Sequence, residues 1–144
     1  MAQRYNKNVS YSSDLAKYLQ DQDWKRFCTF TTGYELTLPS ARRLMKRFYE
    51  RAKKETFHND DVRLFWVAEK FEMKDGYHTH GLFYYPDYHE ECFDVMELLK
   101  YNFEIVSGTT QCRAAFNRYN KRRAAGFYCA KYLTKQASDY DILC

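Results

Sequence analysis

A chain of 144 residues suits one domain and at that size can bury roughly two-thirds of its unfolded surface. A composition of 45% hydrophobic and 29% charged residues, with only 5 Gly and 2 Pro, excludes a low-complexity chain and leaves little room for long linkers. The net charge of +4 fits a polyanionic partner without demanding one.

No apolar run approaches the ~20 residues of a membrane span, and the polar N-terminus lacks a signal-peptide core, so no membrane partner is expected. Five scattered cysteines without a Cys-x-x-Cys point to reduced thiols in a cytosol-like compartment. No phosphate-binding Gly-x-x-x-x-Gly-Lys-Ser/Thr occurs, so an NTPase motor is not encoded in these residues.

Residues 1–24 read as a polar N-terminal extension with a weak helical patch at Ser12 to Gln20, mobile or packed against the rest. The domain proper occupies 25–144. Phe27 to Thr32, rich in aromatic and β-branched residues and ended by Gly33, predicts the first strand. Pro39-Ser40 opens a helix to about Glu55, with Ala41, Leu44, Met45, Phe48 and Ala52 on its core face. Its other faces carry Arg42, Arg43, Lys46, Arg47, Arg51, Lys53 and Lys54. Such a face is usually only solvated, but seven cations make Arg42, Arg43, Lys46 and Arg47 candidates for nucleic-acid phosphate.

Val62 to Phe71 and Tyr77 to Tyr85 predict two further strands, joined by a short turn at Asp75-Gly76. On a strand, residues two apart share a face. His78 and His80 therefore project together, and both imidazoles can reach one metal ion. A two-residue turn at Asp75-Gly76 sets Glu69 opposite Leu82, and a turn at Lys74-Asp75 sets it opposite His80. In either register Glu69 shares the face of the two histidines.

Asp87 followed by Glu90 resembles a capping box for a helix sending Cys92, Phe93, Met96, Leu98 and Leu99 to the core. Phe103 to Val106 reads as a short strand or sheet edge, and Cys112 to Tyr119 as the fourth main strand. Asn120 caps a last helix from about Lys121 to Gln136. On that helix Tyr128, Lys131, Tyr132 and Lys135 form one stripe, since residues three and four apart stack. Arg113, Arg118, Lys121, Arg122 and Arg123 add candidates for backbone-phosphate contact. The element order fits an α+β fold, a ferredoxin- or RRM-like antiparallel sheet with helices on one face and a catalytic C-terminal helix.

A tyrosine is a poor nucleophile at its usual pKa near 10, and a neighbouring lysine favours the phenolate. Two histidines and a carboxylate hold a metal with open positions, which makes a bound phosphate more electrophilic. Together these groups suit attack by tyrosine on a DNA phosphodiester, leaving a 5′-phosphotyrosine and a free 3′-OH.

The ordered stretches Phe27–Thr32, Tyr77-His78-Thr79-His80-Gly81 and Tyr128-Cys129-Ala130-Lys131-Tyr132 resemble the three motifs of HUH endonucleases. The similarity extends over about residues 27–136 and is greatest to rolling-circle replication initiators (Rep) of small viruses, phages and plasmids. The resemblance implies Mg²⁺ or Mn²⁺ held by His78, His80 and Glu69, with Tyr128 as nucleophile and Lys131 as its helper. The repeated Tyr-x-x-Lys, Tyr132 to Lys135, resembles the paired tyrosines of initiators from some single-stranded DNA phages. It further implies single-stranded origin DNA as partner in the host cytosol. No helicase domain follows, so the chain is expected to be a part of a longer initiator or to borrow a host helicase. Three rivals differ in what they require. A single-tyrosine HUH transposase usually carries Gln after the tyrosine, where this chain has Lys131. A non-catalytic RRM-like single-strand binder has no need of Glu69, His78 and His80 on one face. A His₂Glu iron or zinc enzyme acting on small molecules leaves the tyrosine stripe unexplained.

Overall fold

The computed structural model describes residues 14, 15, 17–19, 21–91, 94–120 and 139–144. Strands β1 (Arg26–Thr32), β2 (Arg63–Lys70), β3 (Tyr77–Tyr84), β4 (Cys112–Arg118) and β5 (Tyr140–Leu143) form one antiparallel sheet in the order β4-β1-β3-β2-β5. Helices α1 (Leu38–Arg51) and α2 (Val95–Ser107) cover one face. The α+β, ferredoxin-like class expected from the sequence is the one observed.

Helix α1 begins with a reciprocal cap. Ser40 N–H donates to Thr37 Oγ1 (3.2 Å) and Thr37 N–H to Ser40 Oγ (2.7 Å). Ala41, Leu44, Met45, Phe48 and Tyr49 are buried, as spacing along the helix requires. A π-helical turn, Ala52–Thr56, follows and delivers fully buried Phe57 before His58 and Asn59 leave the helix with positive φ.

The aromatic cluster beneath α1 is the main core. Phe48 packs against Phe30, Phe83, Phe103 and Phe116, with ring centroids 5.0–6.4 Å away. The opposite face has its own cover. Leu15, Leu19 and Trp24 from the N-terminal segment are buried against Phe65, Val67 and Leu82. Covered on both sides, β2 is buried without a break from Leu64 to Ala68, which is why it reads as a continuous apolar run and not an alternating one.

Three expectations are corrected. Phe103–Val106 is neither strand nor edge but the last part of α2, where Leu99, Phe103 and Val106 repeat at helical spacing; so short an apolar window cannot separate the two periods. Gly108 in left-handed conformation ends that helix, its N–H donating to Glu104 O at 3.0 Å. The helix expected to start near Asp87 is a 3-10 segment, Asp87–Glu91, separate from α2. Leu98 points outward, 41% exposed, while Cys92 and Phe93 lie outside the described residues. Finally, the β2–β3 connection is six residues, Phe71 to Gly76, so Glu69 faces His78 and neither Leu82 nor His80.

Strand β5 has no counterpart among the expected elements. It adds to the β2 edge and is clamped from α1, where Arg42 Nε and Nη2 donate to both oxygens of Asp139 (2.8 and 2.6 Å) and Nη1 to Asp141 (3.1 Å). Arg42 also lies over the Trp66 ring. The Arg42 hydrogen bonds hold the Asp139 carboxyl below its ordinary 3.8. Stability from this pairing is therefore full above the unfolded value and lost as pH falls through the lowered folded one. Because the groups are partly exposed, Arg42→Ala is expected to cost only about 1 kcal/mol near neutrality. Urea unfolding of wild type and variant should give midpoints that converge as the pH is lowered to about 3.

Candidate metal centre

Glu69 ends the buried part of β2, and His78 lies directly opposite on β3. His80, two residues along, sits between Val67 of β2 and Thr29 of β1. Strand alternation puts all three on the face opposite α1 and α2. His78 Nε2 and His80 Nε2 converge on a single oxygen, Glu69 Oε2, at 3.0 and 2.6 Å. The three ligand atoms lie within 4.8 Å of one another. An edge near 3.0 Å is what two ligands about 2.1 Å from one ion make at a right angle. The residues present therefore fit a divalent cation.

The walls of the centre are aromatic. Phe27 stacks on His80 (5.8 Å, 16° between planes) and Phe71 on His78 (4.6 Å, 29°). Lys74 Nζ lies 4.3 Å above the Phe71 ring. The three ligand side chains are only 10–15% exposed. Burial lowers the pKa of both imidazoles from the ordinary 6.5; the neighbouring His78 adds to this at His80, against the opposing pull of Glu69. Neutral imidazole is the ligand form, so burial prepares the pair for a cation.

His80 Nδ1 is 3.2 Å from Thr29 Oγ1, an outer contact that fixes the ring and its tautomer. Sequence reasoning misses Thr29, Phe27 and Phe71 in these roles. For Thr29 and Phe27 a signal is present, since both share one parity of β1, but their register against β3 is not. Thr29→Val is expected to weaken Mn²⁺ affinity by about 10-fold with little change in fold. Calorimetric titration of both proteins measures it.

The other expected site residues separate. Arg113 pairs with Thr31 and so shares the face of Thr29 and the histidines. Arg118 pairs with Arg26 and has the parity of the helix-covered face. Arg43, Lys46 and Arg47 are exposed on α1, beyond the sheet from the metal centre. Arg42, another expected phosphate contact, has its guanidinium engaged by Asp139 and Asp141. Tyr128, Lys131, Tyr132 and Lys135, with Lys121, Arg122 and Arg123, lie outside the described residues. Among the described residues no helix is long and apolar enough to cross a membrane.

The family model described as replication-associated protein ORF2 matches residues 25–137. The chain belongs to this replication-associated protein family, which gives it a replication-initiator role. Comparison with curated proteins and with solved structures returns no match.

Proposed function

We propose that the protein starts rolling-circle replication by nicking, and later rejoining, single-stranded DNA at an origin. The observation that carries this reading is the convergence of Glu69, His78 and His80 on one point of a sheet face in a chain of the replication-associated family. An RRM-like binder would account for aromatic rings on that face but not for three buried ligands. Glu69, His78 and His80 would hold Mg²⁺ or Mn²⁺, which when bound supplies Lewis-acid polarisation of the scissile phosphate.

The chain's own groups do the rest. Tyr128 Oη gives up its proton and bonds to phosphorus, while the bond from phosphorus to the 3′ oxygen breaks. That oxygen takes up a proton and leaves as a free 3′-OH, with the 5′ phosphate on Tyr128. One phosphodiester replaces another, so the 3′-OH can reverse the step and reseal the strand. Lys131 favours the phenolate and, with Lys135, offsets charge on the phosphoryl oxygens. Tyr132 serves as the second nucleophile, attacking the regenerated junction while Tyr128 carries the first end.

Placement of the flanking residues supports this division. Tyr119 N–H donates to Lys25 O, and the ring joins the cluster on the metal face. Asp139 O accepts from the N–H of Ala68, the neighbour of Glu69. The stretch holding both tyrosines thus leaves and re-enters the described fold beside the sheet that carries the metal centre. Phosphate contact is proposed for Arg113 on this face and for Lys121, Arg122 and Arg123. Arg43, Lys46, Arg47 and Arg118 would serve only DNA reaching past it.

The test is incubation with a single-stranded oligonucleotide library and Mn²⁺, followed by a search for protein–DNA adducts that survive SDS. Wild type should form them, Tyr128→Phe should lose the first-cut adduct, and the Tyr128→Phe/Tyr132→Phe double variant should form none. An adduct in the double variant ends the tyrosine mechanism.

A further inference from the structure

A second feature of the metal-bearing side lies at the other end of β3. Tyr84 is four residues beyond His80 on the same strand and face, about 13 Å away at ~3.4 Å per residue. There Gln22, Asp23, Trp24, Arg63 and Tyr84 line a pocket of about 210 Å³. That is below the ~300–1,000 Å³ of sites for drug-sized ligands, so it suits a single ring system.

Its chemistry is specific. Arg63 lies with its guanidinium carbon 4.9 Å from the centre of the Tyr84 ring. One guanidinium nitrogen pairs with Asp61 at 3.0 Å. Trp24 is held by its indole N–H donating to Leu19 O, with only 5% of its surface exposed. Asp23 brings a carboxylate, which Lys25 contacts at 2.9 Å, and Gln22 brings an amide whose N–H reaches Tyr18 O. Nothing in the metal chemistry uses these five residues.

We propose that this pocket is a guanine subsite for the single strand cut at the metal centre, an inference that rests on the nicking function above. Guanine offers two acceptors, O6 and N7, to an arginine fork. Its N1–H and exocyclic N2–H₂ are donors that a carboxylate accepts, whereas adenine turns an acceptor, N1, towards such a group. A base held edge-on by Arg63 lies near the guanidinium plane, where Tyr84 supplies an aromatic surface for stacking. The spacing from His80 places the guanine within a few nucleotides of the scissile phosphate.

The experiment is fluorescence anisotropy in EDTA, where no cutting occurs, using oligothymidylates that carry one guanine moved stepwise along the chain. One position should bind about 10-fold tighter than thymine, and inosine, which lacks the N2 amino group, should lose part of that gain. Arg63→Gln and Asp23→Asn, each checked for native circular dichroism, should abolish the guanine preference and leave oligothymidylate affinity within about 2-fold. A uniform loss across all sequences with a reduced salt slope would make Arg63 a phosphate contact and overturn the subsite. A preference for another base, or for none, would also overturn it while leaving the nicking reading intact. Guanosine monophosphate titrated alone, observed at the Trp24 indole resonance, should give a saturable shift that Arg63→Gln removes. That shift without any oligonucleotide binding would keep the pocket and sink the single-strand reading.

Discussion

A His80→Ala variant is expected to cut DNA at least about 10³-fold more slowly than wild type, because a bound cation contributes several kcal/mol to phosphoryl transfer. His80 is the most enclosed of the three ligands, with a side chain 10% exposed and a bond to Glu69 at 2.6 Å. Alanine deletes one of three donors and leaves the Glu69 carboxylate half-paired. His80→Gln keeps a polar group of similar reach and separates ligation from packing. Both variants should retain most single-strand affinity, since backbone phosphates dominate it. Single-turnover cleavage across a Mn²⁺ titration gives the rate, and anisotropy gives the affinity. Undiminished cleavage by either variant in chelator would remove the metal from the chemistry. In the metal-free wild type, the lowered pKa values of His78 and His80 carry a matching stability signature. Their contribution is full above the unfolded value near 6.5 and declines as pH falls through the lowered folded values, when the buried rings must charge. The His80→Ala protein should lose stability less steeply over that acid range.

The metal centre is legible in the sequence because strand parity survives errors of register. Glu69 sums with His78, Leu82 or His80 to an odd number in each pairing, so every register weighed from the sequence keeps it on the histidine face; the observed partner, His78, keeps it too. What fixes the register is the loop. Phe71 N–H donates to Gly76 O at 3.1 Å and Tyr77 N–H to Leu36 O at 3.1 Å, and a contact with Leu36 is tertiary and absent from local turn chemistry. The same limit explains Phe103–Val106. Phe103 and Ile105 alternate with polar or small neighbours as a strand would, while their helical partner Leu99 lies outside so short a window. Strand β5 is hidden because its four residues carry the Asp141 charge, and only Arg42, 97 positions away from Asp139, makes it dock. The cationic stripe of α1 is visible at once. Whether its members face the metal depends on which sheet face the helix covers, and that is decided by where Leu44, Met45 and Phe48 find their core.

Phe48→Ala is expected to destabilise the fold by about 3–5 kcal/mol, the usual cost of emptying a fully buried aromatic position. Phe48 has no exposed surface and joins three structural layers: Phe30 and Phe83 of the sheet, Phe103 of α2, and Phe116 at the sheet edge. Rings that meet at 57–81° on three of these contacts cannot slide together to fill the space without leaving their rotamers, so most of the cavity should persist. Against a total stability of ~5–15 kcal/mol for a domain, this approaches the threshold of unfolding. The urea midpoint should fall steeply with little change in slope. Leu98→Ala on the outer side of α2 is the control, expected within about 0.5 kcal/mol of wild type because Leu98 is 41% exposed. Mn²⁺ affinity per folded molecule should stay close to wild type in both variants, since the ligands lie across the sheet from Phe48. A loss of metal affinity in Phe48→Ala larger than its unfolded fraction explains would mean that the aromatic core sets the spacing of β2 and β3 at Glu69 and His78, and the two faces of the sheet would then be coupled.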